Sequence, residues 1–528
     1  MLARDLAAAS GHLHSTADVC VVGSGPVGLA VARRLAERGV RVALLERGGR
    51  APVSEDGDPG VAFDAGPYGG AGVGRAFGLG GTSALWGGQL LPQRASEFEG
   101  GFGAQRPHWL VDHHELEPHY RTLDRWLGVA EGPFELAAHP AHPLAALNWD
   151  GWSPRLSKWL PFRRRNIAAA WSGALARAGH VEAWLNARVT DFELDPAGRR
   201  VVAAIAQAGG AQLRVAARRT VLAAGTIEST SLLLALFARP ALAGRASPTL
   251  GHYLQDHLSM RVAQLEVRDP AAFRQLFEPR FVRGTLRTVR LEPAPQFLRA
   301  AGLPPSYAHL VAEVGEGSGF GVLRDLLRAS QRRDASGVWS ALRRVPRTAP
   351  GLARLALTRL VRNRLAYPAG AGFWLHVDFE QPVDASRRIY RGPAAGAAGS
   401  TVLRVDWRPD ADAVAVAVAE GYRRHLGEFW ARNGLDRLAR LDFGRGRATG
   451  DCSIRNIYDI YHPAGTTRIG DDAGSGCVDR HLAVHSLHDL YVVGASVFPA
   501  LGAANPTYTA MALGLRLADH LGRPGAAP

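Results

Sequence analysis

Apolar and polar positions change rhythm three times along this chain. At the start, Asp18-Val19-Cys20-Val21-Val22 is an apolar run opened by one acid, the pattern of a short parallel strand buried on both faces. Gly23-Ser24-Gly25-Pro26-Val27-Gly28 follows at once. Residues 29–38 continue with helical apolar spacing, Gly39 ends them, and 40–45 form a second apolar strand that delivers Glu46. From 182 to 221 the pattern becomes short alternating strands with turns, such as 204–208 and 213–215. Another buried run, Thr220-Val221-Leu222-Ala223-Ala224, then enters a turn at Gly225, with a helix over 229–237. A repeated strand–glycine–helix unit belongs in the same parallel sheet as the first. Near the C-terminus, 490–493 is a buried strand, and a helix runs from Pro506 to Leu521.

The stretch 262–450 differs. Its polar segments are longer, and 377–380 and 402–407 read as strands. Residues 323–366 are arginine-rich and helical. Ala353, Ala356, Leu357, Leu360, Val361 and Leu365 share one face, with Arg354, Arg359 and Arg362 off it. The ordinary expectation is an amphipathic helix packed on a core; the alternative, not favoured, is a helix lying on a membrane surface.

With 528 residues the chain exceeds one simple core, and 47% hydrophobic and 21% charged residues fit a globular enzyme. No apolar run approaches the ~18 residues of a membrane span, and residues 1–17 lack the apolar stretch of a secretory signal. Cys20, Cys452 and Cys477 are too few for a disulfide framework, which fits a cytoplasmic location. The net charge of +14 comes from arginine, because Lys158 is the only lysine. No nucleic-acid-binding motif accompanies it, so no nucleic-acid partner is expected.

Candidate chemistry sits at the two ends. Gly23 suits a tight turn, Gly25 a close approach of backbone to pyrophosphate, and Gly28 close helix–strand packing. Glu46 lies near the roughly 20-residue distance at which an acid meets a ribose diol. The stretch Gly78-Leu79-Gly80-Gly81-Thr82-Ser83-Ala84-Leu85-Trp86-Gly87-Gly88 is too glycine-rich for a helix or an inner strand, and reads as a loop lying flat on a large ligand. In the tail, His462 precedes Pro463 and so stays out of a helix interior. Asn505 precedes Pro506, where its side chain either caps the helix or holds a substrate oxygen. A histidine can take an alcohol proton near neutral pH.

Together these motifs resemble the glucose–methanol–choline (GMC) family of FAD-dependent oxidoreductases. The resemblance extends over the glycine cradle with Glu46, the glycine loop, residues 222–228, Leu250-Gly251-His252-Tyr253-Leu254-Gln255-Asp256-His257, and most of 462–521. It implies a fold of class α/β plus α+β: a Rossmann-like FAD-binding domain built from both chain ends, with a mainly antiparallel substrate domain. The expected FAD-binding parts are 1–100, 171–261 and 451–528; the expected substrate parts are 101–170 and 262–450. The resemblance makes His462 the catalytic base and Asn505 its partner, and sets Val189 against the adenine. It places Gly81, Thr82, Ser83, Trp86, Ala224, Gly225, Gly494, Ala495, Pro506 and Thr507 around the cofactor. The helix starting at Pro506 would direct its positive end at the pyrimidine side of a flavin.

Relatives that bind FAD covalently carry a histidine where this chain has Leu85, so non-covalent FAD is expected. The loop and tail are most similar to the sugar-oxidising branch, which implies oxidation of a sugar, glycoside or alcohol hydroxyl, with oxygen, quinone or a protein as electron acceptor. Three alternatives stay open: an FAD-containing lyase of the same fold, a light-driven decarboxylase (a class lacking the histidine at 462), and a membrane-surface dehydrogenase of a lipid-linked or anionic sugar.

Overall fold

A computed structural model of the chain describes residues 2–54, 60–102, 106–313, 318–332, 335–368, 370–393, 401–409, 412–444 and 457–523. Cys452 lies outside the described residues. The apolar run at 18–22 is the buried end of a longer strand, Gly11–Val22, whose first half is largely exposed. It lies between Val42–Leu45 and Ala211–Leu222 and is parallel to both. Val181–Leu185 and Leu2–Asp5 extend this sheet in parallel on one side. On the other side, Thr220, Val221 and Leu222 pair in parallel with Leu490–Val492 from the tail. The first half of the same strand pairs antiparallel with Val201–Ala208, which carries Arg188–Leu194 at the edge. The sheet has eight strands and is fed by both chain ends. Val19, Cys20, Val21 and Val22 are all buried, as a strand covered on both faces requires.

The short strands expected at 204–208 and 213–215 are segments of Val201–Ala208 and Ala211–Leu222, which are longer. Arginines at 214, 218 and 219 interrupt the apolar period of the second without breaking its pairing. The first helix begins at Pro26 and ends at Ala36, and the second starts at Thr226, in both cases directly after the glycine turn.

Beside this sheet stands an antiparallel one, in the order Ser306–Glu313, Gly372–Glu380, His257–Val267, Ala439–Asp442, with Tyr458–Asp459 also paired to His257–Val267. A second antiparallel sheet joins Arg280–Val282, Thr285–Arg290, Arg155–Trp159 and Gln89–Leu90. Thr401–Asp406 pairs with Arg388–Pro393 and with Val61–Phe63. Two apolar cores result, one around the parallel sheet and one around the antiparallel layer. The architecture is thus α/β with a mainly antiparallel second part.

Two expectations need correction. The glycine loop contains a short 3-10 turn, Gly81–Ala84. Gly80 and Gly81 enter it with φ of 100° and 53°, and the Ser83 hydroxyl donates back to the Gly80 carbonyl. The glycines therefore permit the turn that their number seemed to forbid. The arginine-rich segment forms two helices, Gly319–Arg332 and Ala335–Arg362. The face expected to pack on a core does not: Leu357, Leu360 and Val361 are 62%, 79% and 68% exposed. Ala341, Thr348 and Leu355, from other positions on the helix, make the buried contacts instead.

Candidate active site

The cradle forms where the first parallel strand meets its helix. Gly23 turns the chain at φ 102°, and a Cβ there would meet the Ala223 carbonyl at 2.6 Å. A Cβ on Gly28 would lie 1.9 Å from the Gly23 carbonyl oxygen, so helix and turn touch through backbone alone. Gly25, by contrast, faces open space. No side chain caps the helix end at Gly25, and Pro26 occupies its first turn, leaving its N–H groups to a ligand.

A cavity of about 1680 Å³ opens from this point. Gly23, Gly25 and Glu46 line one part of it, and Val189 lies on its wall. Gly81, Thr82, Ser83 and Trp86 line another, with Ala224 and Gly225 from the second glycine turn. The tail closes it with His462, Gly494, Ala495, Asn505, Pro506 and Thr507. Gly28 stays outside, within the helix–strand contact.

Glu46, on the cavity wall where a ribose acceptor is expected, also has a role within the chain. Its carboxylate is 5% exposed and takes hydrogen bonds from within the chain: Oε2 from the Ser24 amide and hydroxyl, Oε1 from the Gly48 and Gly78 amides. Glu46 thus ties the cradle turn to the glycine loop.

The tail residues meet in a directed chain of hydrogen bonds. Arg290 Nη2 donates to Gln89 Oε1, and Gln89 Nε2 donates to Asn505 Oδ1 at 3.0 Å. Tyr307 donates its hydroxyl to the same Oδ1 at 3.3 Å. Asn505 Nδ2 lies 3.3 Å from His462 Nε2. His462 Nδ1 is 3.0 Å from His257 Nδ1, and His257 Nε2 is 2.7 Å from the Gly502 carbonyl oxygen. Neither end of the chain has a choice of role. A guanidinium only donates and a carbonyl only accepts. His257 must therefore carry its proton on Nε2 and accept at Nδ1. His462 then carries its proton on Nδ1, and its Nε2 presents a bare lone pair beside Asn505. Asn505 makes no side-chain cap to its own helix, so the capping alternative does not hold.

Comparison with known proteins bears on the family and the fold. Residues 18–287 match the family described as FAD dependent oxidoreductase, and residues 393–514 match that described as GMC oxidoreductase. The chain belongs to the GMC-type FAD-dependent oxidoreductases. It is 25% identical over 96% of its length to 6'''-hydroxyparomomycin C oxidase of Streptomyces lividus, covering 92% of that protein. It is 30% identical over 24% of its length to paromamine 6'-oxidase of Streptomyces fradiae, covering 26% of that protein. Pyridoxine 4-oxidase from Mesorbium loti superposes with a TM-score of 0.58 at 20% identity, covering 95% of this chain and 98% of that one. Formate oxidase superposes with a TM-score of 0.59 at 15% identity, with coverages of 96% and 98%.

FAD, the cofactor of this GMC oxidoreductase, suits the cavity. The open side of Gly25 and the uncapped helix N-terminus offer a place for phosphates, and the other end of the cavity reaches His462 and Asn505. The electrostatics there keep His462 neutral. Burial, with the neighbouring His257, pushes His462 down to about 3. Burial lowers His257 as well. Asp378, on the strand behind, is raised by burial but brought below the usual carboxylate range by His309, whose Nε2 lies 3.3 Å away. It is the carboxylate that opposes the fall at His462.

The residues that sequence reasoning left without a role are Asp256 and His257. Asp256, fully buried, accepts from the His462 amide at 2.8 and 3.0 Å and from the His257 amide at 2.7 Å, while Tyr68 donates to its other oxygen at 2.5 Å. Burial drives its carboxyl up to about 8, against the Tyr68 hydrogen bond that lowers it. One dipeptide thus grips both the backbone and the ring of His462. Its signal was in the Leu250-to-His257 motif, but the motif names no partner for either side chain. Gln89, Tyr307 and Arg290 had no local signal at all.

Proposed function

We propose that this FAD-dependent oxidoreductase oxidises a secondary or primary hydroxyl of a sugar, glycoside or related alcohol to a carbonyl, with His462 as base and Asn505 as orienting group. The observation that carries this reading is the bare Nε2 of His462 held 3.3 Å from Asn505 Nδ2 on the wall of the cofactor cavity. A substrate hydroxyl set against both groups replaces the Asn505–His462 hydrogen bond: it donates its proton to Nε2 while its oxygen accepts from Asn505 Nδ2. The proton comes to rest on Nε2, and the carbon gives up hydride as the C=O bond forms. Bound FAD supplies the hydride acceptor. His257 keeps Nδ1 of His462 occupied as a donor, so the proton has only one nitrogen to go to.

The sugar or glycoside assignment rests on the polar surroundings of Asn505 and on the relatives whose names specify paromomycin and paromamine chemistry. FAD is held non-covalently, since Leu85 offers no nucleophile to the ring. Gly81, Thr82, Ser83 and Trp86 cover the cofactor, Ala224 and Gly225 back it, and Val189 meets the adenine. Gly494, Ala495, Pro506 and Thr507 flank the flavin. Among the described residues Cys20 and Cys477 are free and buried, which suits a cytoplasmic location. Oxygen, a quinone or a protein accepts the electrons.

An anaerobic screen of the purified holoenzyme against sugars, glycosides including paromamine, and simple alcohols tests the reading. Bleaching of the flavin by a hydroxylated glycoside is the expected result, and reoxidation with oxygen or quinone then sorts the acceptors. A flavin that stays oxidised across the panel overturns the reading and returns the lyase alternative.

A further inference from the structure

The outer helix of the arginine-rich hairpin, Ala335–Arg362, has two apolar sides. One is used. Ala341, Thr348 and Leu355 recur every seventh residue and are buried. Gly351 comes so close to Gly319 of the neighbouring helix that a Cβ on Gly319 would lie 2.8 Å from the Gly351 carbonyl carbon. Arg344 Nη2, 3.0 Å from Asp325 Oδ2, ties the two helices together.

The other side faces away from the protein. At about 100° per residue, Trp339, Leu342, Pro346, Leu357, Leu360 and Val361 share one stripe about 33 Å long. All are exposed, Trp339 at 65% and Leu360 at 79%. A stripe of large apolar side chains in water is unusual for a monomer and marks an interaction surface.

Charge distinguishes what covers it. The helix holds six arginines and no acidic residue. Arg343, Arg347 and Arg354 fall along one edge of the stripe by the same spacing, and they form no ion pair among the described residues. A basic edge beside a Trp/Leu stripe fits a surface that is anionic at its boundary and apolar just beneath. No helix among the described residues is long and apolar enough to cross a membrane, so the contact is with the surface. We propose that helix Ala335–Arg362 docks the enzyme onto an anionic phospholipid bilayer, with the stripe in the headgroup boundary and the arginines on lipid phosphates. Its partner helix Gly319–Arg332 contributes Leu327 and Ser330 to the wall of the cofactor cavity, so docking would set that wall toward the lipid.

The proposal is independent of the substrate and is tested without turnover. The FAD-loaded enzyme is floated with phosphatidylcholine vesicles, with and without phosphatidylglycerol, across a salt titration. Expected is binding to the phosphatidylglycerol vesicles that weakens with salt. Leu357→Ser with Leu360→Ser should cut partitioning by about 10-fold or more, and Arg343→Ser with Arg347→Ser by roughly 20-fold. These side chains are at the surface, so flavin content and melting temperature should stay at wild-type values and exclude misfolding. Absence of binding to anionic vesicles overturns the proposal, as does binding that the variants leave unchanged. A concentration-dependent dimer that the leucine variants dissociate, without vesicle binding, overturns it in favour of a second copy of this chain.

Discussion

Each nitrogen in the His462 site has one available role, and that makes single substitutions informative. Removing the base, His462→Ala, should lower turnover by about 10²- to 10⁴-fold while the flavin stays bound, which stopped-flow reduction against flavin content will show. The subtler change is His257→Leu. It leaves every atom of His462 in place but removes the acceptor for its Nδ1 proton. The ring is then free to carry its proton on Nε2, where it cannot act as a base. Turnover should fall between about 10-fold and about 10⁴-fold, with KM little altered. A drop in KM-side affinity at unchanged kcat would mean that His257 only shapes the pocket. Leu85 carries a simpler expectation: acid precipitation should release the yellow cofactor into the supernatant, and flavin retained on the pellet would contradict non-covalent binding.

At the scale of elements, the three glycines of the cradle separate folding from cofactor binding. Gly25 has open space where its Cβ would be, so Gly25→Val should fold and melt cooperatively but purify without FAD. Gly28 has the Gly23 carbonyl oxygen 1.9 Å from the same point, so Gly28→Ala must push helix from strand, at a cost of about 1–3 kcal/mol. Comparing flavin absorbance with melting temperature in the two variants checks the distinction. The strand–glycine–helix units were legible because each carries its own local chemistry: an apolar run, a turn residue and a helix start within about ten residues. The arginine-rich helix shows the limit of that approach. Its period predicts the helix, yet periodicity reports that a face is apolar and not whether anything covers it. The structure leaves that face in solvent because Gly319–Arg332 packs on the opposite one.

For the molecule as a whole, the buried histidines set the acid limit of stability. His142 and His376 are pushed by burial to about 4, and His462 to about 3. In the unfolded chain they take up protons near 6.5. Below that pH the unfolded state binds more protons than the folded one, so their contribution is present above about 6.5 and is lost as pH falls toward 4. Asp256, raised to about 8, acts in the opposite sense and cancels the contribution of one histidine across this window. Melting temperature should therefore fall steadily on acidification from pH 6.5 to 4, with a net loss on the order of 1.4 kcal/mol per pH unit for each unbalanced proton. Thermal scans across that window check it; a flat profile would contradict the neutral, buried state assigned to these rings.

Local sequence determined the nucleotide cradle, the second glycine turn, the tail helix starting at Pro506, and the choice of His462 and Asn505 as the candidate pair. All of these are encoded within a few residues, by backbone freedom at glycine, by restriction at proline and by apolar period. Tertiary structure alone decided how the pair is held. Arg290, Gln89, Asn505, His462, His257 and Gly502 come from distant parts of the chain, and no spacing predicts that their donors and acceptors line up in one direction. The same holds for Glu46. Its position in sequence points to a ribose, and only the approach of Gly78 and Ser24 in space shows that its carboxylate also ties the cradle turn to the glycine loop. A hydrogen bond needs both partners, and sequence pattern names only one of them.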